Sequence, residues 1–147
     1  MTTVRIEEVA DRMSVLDLVT QFHRSVDFKN WELLRSILTD DVVWEWIGRY
    51  PGGSASDGAE GRDSVLGWLE KATLQATPHH HTTNHMIVLT GDLAHTESYM
   101  FVADRFTLQT LAIGVLETDC VRVDGEWLVH KLRVDEQIGR AFTPPTK

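Results

Sequence analysis

The residue pattern changes period at Pro78, and that change limits the folds open to the chain. Upstream, apolar side chains recur every three or four residues, the spacing of amphipathic helices. Downstream they alternate, the spacing of strands. Helices gathered at one end of a chain and strands at the other predict an α+β domain, with the helices on one face of a mostly antiparallel sheet. If that sheet is strongly curved, helices across its open side enclose an apolar pocket.

Ile6, Val9, Met13, Leu16, Val19 and Val26 mark a helix over about 4–27, and Ser14 offers a cap for a second helix after a short break. A shorter helix over 29–38 turns Trp31, Leu34 and Leu38 inward. Thr39-Asp40-Asp41 then leads as a turn into a strand at 42–47, with Trp44 and Trp46 on one face. Five glycines and one proline between Gly48 and Gly61 predict a long loop, either the lid of a site or plain solvated surface. Val65, Trp68, Leu69, Ala72 and Ala76 predict a helix over 62–76. Strands follow at 79–89, 94–105, 108–123 and 126–134, with Gly114 a candidate break. Asp124-Gly125 is a hairpin signal between the last two. The expected organisation is one domain over 1–140 and a flexible tail over 141–147, with no internal repeat.

A chain of 147 residues, 42% of them hydrophobic, can bury one sizeable core. Its net charge of −8 and its lack of any basic run argue against a nucleic-acid or anionic-membrane partner. Cys120 is the single cysteine, which excludes an internal disulfide and fits a reducing compartment. The first residues lack a signal peptide's basic start and apolar run, and no stretch has the length of a bilayer span. The expectation is a soluble cytoplasmic protein.

Four of the seven histidines lie between His79 and His85. On a regular strand His79, His81, Thr83 and His85 share one face, while His80, Thr82, Asn84 and Met86 share the other. An inward imidazole is a candidate general base, since histidine titrates near neutral pH. A metal reading uses His79, His81 and His85. Side chains alternating along one face stand about 7 Å apart and parallel, so these three do not converge, and neither a metal nor another cofactor is expected. Trp44, Trp46, Trp68, Met86, Met100 and Phe101 are expected in the core, and Cys120 as a small buried hydrophobe. His95 and His130 have no evident partner.

Three stretches carry a resemblance. They are Val26–Trp44, with an aspartate ending a helix and an Asp-Asp turn before a strand; His80-His81-Thr82-Thr83-Asn84; and Gly114 followed by Arg122-Val123-Asp124-Gly125-Glu126-Trp127. Nearly the whole chain resembles the SnoaL-like and scytalone-dehydratase-like enzymes, which share the cone-shaped nuclear-transport-factor-2-like fold. In the dehydratases and the similar hexachlorocyclohexane dehydrochlorinase, an aspartate at the helix end pairs with a histidine on the strand after the third helix. Those positions match Asp27 and His80. The neighbours His79 and His81 leave the inward histidine open by one residue.

The resemblance also implies that Asn84 and Trp46 line the pocket, and that an arginine on the last strand assists a leaving anion. Counting from the hairpin reaches Leu132, with Arg133 one residue on, and one residue exchanges the faces of a strand. Leu116 and Thr118 stand where family members often carry Tyr and Asp. The implied activity is a cofactor-independent lyase, of the dehydratase or dehydrochlorinase kind, acting on a small, largely apolar molecule. The same pair also suits an isomerase, a cyclase or a hydrolase, and the fold also serves as a non-catalytic ligand-binding module. As in similar proteins, the outer sheet face, with Val121, Val123, Val129 or their neighbours, is expected to pack against other copies in a homodimer or homotrimer.

Overall fold

The computed structural model describes residues 3–138, so the expected tail over 141–147 lies outside the described residues. Helix α1 spans Ile6–Asp27, α2 Trp31–Ser36 and α3 Arg62–Ala72. The strands are β1 Leu38–Tyr50, β2 Gly53–Glu60, β3 Pro78–Thr90, β4 Leu93–Asp104, β5 Thr110–Val123 and β6 Glu126–Ile138. They form a single open sheet in the order β2-β1-β6-β5-β4-β3. The sheet is mixed, because β1 runs parallel to β6 while every other neighbouring pair is antiparallel.

α1 is one unbroken helix. Ser14 is exposed within it, and the helical apolar spacing continues through that residue to Val15, Leu18, Val19, Phe22 and Val26, all buried. The chain reverses sharply after Asp27. Lys29 takes a left-handed conformation (φ 54°), the Asn30 N–H donates to the Ser25 carbonyl at 2.8 Å and the Lys29 N–H to the Val26 carbonyl at 3.1 Å, the two bonds of a Schellman-type helix end. The Asn30 side chain then accepts from the Leu33 N–H and caps α2. Because α2 stops at Ser36, Leu38, placed in that helix by its spacing, opens β1 instead.

The glycine-rich stretch is a strand. Pro51 and Gly52 (φ 95°) make a two-residue turn, and β2 pairs with β1 from Tyr50↔Gly53 to Val43↔Glu60. Proline first and a positive-φ glycine second suit a type II turn. β2 is an edge strand of small, mostly exposed residues. It carries little apolar alternation, and the β1 backbone rather than local preference sets its conformation. Gly114 does not break β5 either, and α3 ends at Ala72.

The core lies between the inner sheet face and the helices. Phe22 stacks on Trp44 at 6.4 Å between ring centres, and Leu34, Leu38, Val42, Val65, Leu116, Val129 and Leu132 are fully enclosed. Val129, assigned to the outer face from the sequence, is therefore an inner residue. Met86 and Phe101, expected in the core, point outward and are exposed. Phe101 does so because β4 turns Met100 and Val102 inward, and Met86 because the pairing of β3 with β4 slips between Thr83 and Met86, which exchanges the faces of β3 beyond His80 and Thr82. The outer face carries Met86, Tyr99, Phe101, Ile113 and Val115 among charged neighbours. His95 finds partners there, with Nδ1 2.6 Å from Asp119 and Nε2 3.6 Å from Glu97. The hydrogen bond with Asp119 raises its pKa. His130 Nδ1 lies 3.4 Å from Asp41.

Candidate active site

Helix dipoles disfavour an acid at a C-terminus, yet Asp27 closes α1 with its side chain buried. Strand β3 compensates it. The His80 backbone N–H donates to Asp27 Oδ2 at 3.0 Å, and His80 Nδ1 lies 2.5 Å from Asp27 Oδ1. One carboxylate therefore grips one residue at two points. This bonding favours the tautomer with the proton on Nδ1 and leaves Nε2 with a lone pair. Nε2 makes no hydrogen bond among the described residues. Of the three adjacent histidines, His80 is the inward one, while His79 and His81 lie together on the outer face, 4.9 Å between ring centres.

The alternation of β3 is interrupted in its middle. Its pairing with β4 slips between Thr83 and Met86, and Asn84 has φ 55°. This is a β-bulge, and it exchanges the faces of everything beyond it. His85, Ile87 and Leu89 turn inward, and Asn84 is left exposed on the bulge. Asn84 is therefore not a pocket-lining residue. The bulge also parts His85 from His79 and His81, so these three do not share one face.

Arg133 is corrected in the same way. Leu132 and Val134 are buried on the inner side of β6, so Arg133 between them points outward, where it pairs weakly with Glu117 at 3.7 Å. It borders a groove of about 620 Å³ across the outer face, together with Arg49, Tyr99 and Ile113. The alternation from Leu132 brings Glu136 inward instead. Trp46, the expected wall, does face inward, and its Nε1–H donates to Glu136 Oε1 at 2.6 Å. Gly48 on β1 and Gly114 on β5 both pair with Glu136. A Cβ on Gly48 would overlap the Trp46 ring, and one on Gly114 would overlap the β6 backbone beside Glu136. Burial pushes the Glu136 carboxyl up, against the opposing effects of the Trp46 hydrogen bond and the charge of His80.

Two further imidazoles complete the interior. His23 lies one turn before Asp27 on α1, and its ring centre is 5.0 Å from that of His80. His23 Nε2 and His85 Nδ1 are buried without a hydrogen-bond partner, as are Trp44 Nε1 and the hydroxyls of Thr96, Ser98 and Thr118. Burial, and then the neighbouring charges of His80 and His85, hold the pKa of His23 well below its usual value. The unfolded chain thus takes up a proton that the folded chain refuses. Stability is expected to be complete above the usual histidine pKa of 6.5 and to fall as pH drops below it. The slope contributed by one such group approaches about 1.4 kcal/mol per pH unit. Urea midpoints measured across this range should show the slope in the parent and a flatter one in His23→Leu.

The sequence matches the SnoaL-like domain over residues 7–133. The chain belongs to the SnoaL-like domain family. Solved structures agree on its fold. A provisionally assigned scytalone dehydratase from Novosphingobium aromaticivorans superposes with TM-score 0.72 and 20% identity, covering 95% of each chain. LinA gives TM-score 0.73 and 19% identity over 95% of this chain and 98% of its own. An NTF2-like protein of unknown function from Pseudomonas putida KT2440 gives 0.69 and 12% over 86% and 87%. At such identities the likeness carries the nuclear-transport-factor-2-like fold alone. No curated protein matches the sequence. The sheet of this SnoaL-like domain remains open, with β2 and β3 at its edges. No described helix is long and apolar enough to cross a membrane.

Proposed function

We propose that this SnoaL-like domain is a cofactor-independent lyase that eliminates a leaving group from a small, largely apolar molecule. The observation that carries the reading is the two-point bond of Asp27 to His80. A carboxylate on Nδ1 fixes the ring, favours the imidazolium that forms, and directs Nε2 as the base. His80 Nε2 takes a proton from carbon, the electron pair of that bond becomes the new double bond, and the group on the neighbouring carbon departs. Trp44, Trp46 and Phe22 supply apolar surroundings, in which a charge–charge interaction is stronger than in water.

The test uses a β-hydroxy-β-phenyl ketone and the β-chloro ketone of the same skeleton, which give the same strongly absorbing enone. Enone formation by the parent that His80→Gln loses supports the reading. Enone formation that persists in His80→Gln refutes the assignment of the base.

The outer face is proposed as the contact between copies of the chain, in a dimer or trimer. Tyr99, Ile113 and Val115 are at least two-fifths exposed there, beside one another on β4 and β5. Light scattering should report an assembly at micromolar concentration, and a monomer would remove the proposal.

A further inference from the structure

Elimination of hydroxide differs from elimination of halide in one requirement. Hydroxide is a poor leaving group and departs readily only when an acid protonates it, whereas chloride departs as the free anion. The interior of this protein holds a second carboxyl, Glu136, apart from the Asp27–His80 pair. We propose that Glu136 is the general acid of the site, the group that protonates a departing hydroxide. The inference rests on the base reading of His80 and narrows it to one leaving group.

Four observations support it. Glu136 is on the inner face of β6, as Leu132 and Val134 are. Among the described residues only its Oε1 has a hydrogen-bond partner, the Trp46 N–H, which leaves Oε2 as the oxygen to carry a proton. The two glycines that pair with it, Gly48 and Gly114, bring no side chain against it. Finally, the interior presents unpartnered polar atoms at His23, His85, Thr96, Ser98 and Thr118. A halogenated hydrocarbon offers these nothing, whereas the carbonyl and hydroxyl groups of an oxygenated substrate satisfy them. Arg133, the cation that the resemblance would offer to a leaving halide, stands on the opposite face.

The groups that act on Glu136 are few. From β1 it receives the Trp46 N–H, and from β3 the charge of His80, both of which favour its ionised form; burial outweighs them and favours the protonated one. Its strand neighbours Asp135 and Gln137 point to the other face, where Asp135 is held by Arg49. In the reaction, His80 Nε2 takes the proton from the carbon beside the carbonyl. The C–H pair forms the double bond, the C–O bond breaks, and the hydroxide leaves as water with the proton from Glu136. His80 is then protonated and Glu136 charged, and water returns the proton from one to the other.

Glu136→Gln keeps an acceptor for Trp46 and removes the acid. The ratio of hydroxide to chloride elimination, measured on the β-hydroxy and β-chloro ketones, is expected to fall by about 10²-fold or more in this variant. Infrared difference spectra near neutral pH should show a protonated carboxyl in the parent that is missing in Glu136→Gln. A ratio within about threefold of the parent's, or a carboxyl already ionised, overturns the proposal. His80→Gln separates the two claims, since it should slow both ketones alike. A parent that releases chloride but never hydroxide overturns the role of Glu136 while the base survives. A parent that acts on neither ketone overturns both.

Discussion

His80→Gln is expected to lower elimination by about 10²–10⁴-fold, the usual contribution of a positioned base. Glutamine retains the backbone N–H that binds Asp27 Oδ2, so the end of α1 stays attached to β3 and only the ring is lost. Asp27→Asn tests the other partner. An amide in place of the carboxylate removes the charge that balances the imidazolium and can present its NH₂ to Nδ1. The ring would then carry its proton on Nε2, where the base is needed, a change of tautomer that costs about 10⁴-fold in kcat in a Ser-His-Asp triad. The fall should appear in kcat, because neither change removes apolar contact surface. Equal activity in parent and both variants would refute the dyad.

Phe22→Ala is expected to cost about 3–5 kcal/mol of stability, the range for emptying a buried aromatic position. Phe22 is 2% exposed, stacks on Trp44 of β1, and meets the edge of His23 at 5.3 Å. It seats α1 on the sheet one and a half turns before Asp27. The loss is a large part of the about 5–15 kcal/mol by which domains are stable. Chemical denaturation should show a lowered midpoint at similar slope. A change below about 1 kcal/mol would mean that the helix is held elsewhere.

Much of this arrangement was legible in the sequence. The switch of period at Pro78 gave the helices and the four long strands, since burial on one side of an element leaves its period in the residues. Asp27 and His80 follow from the resemblance, and their side chains meet at 2.5 Å. What escaped has physical reasons. β2 is an edge strand of small residues, so no apolar alternation marks it, and its partner strand determines its shape. The β3 bulge shifts the pairing by one residue, and a strict alternation therefore assigned His85 and Asn84 to the wrong faces. Asparagine in mid-strand was an available signal, since it tolerates a left-handed backbone better than most residues.

Two residues were within reach of simple counting. His23 lies four residues before Asp27 on a helix and so shares its face. Glu136 lies four residues beyond Leu132 on a strand and so shares that inward face. Arg133 misled because it is a cation close to the expected position, and a single residue decides the face.

Base catalysis by His80 depends on which of its ring nitrogens carries the proton. Long-range proton–nitrogen correlation spectra of the ¹⁵N-labelled protein, recorded where His80 is neutral, read this directly. The predicted result is a protonated Nδ1 bound to Asp27 and an unprotonated Nε2, with the pattern lost in Asp27→Asn. A neutral His80 protonated on Nε2 would contradict it, because the ring would then have no lone pair to direct at a substrate.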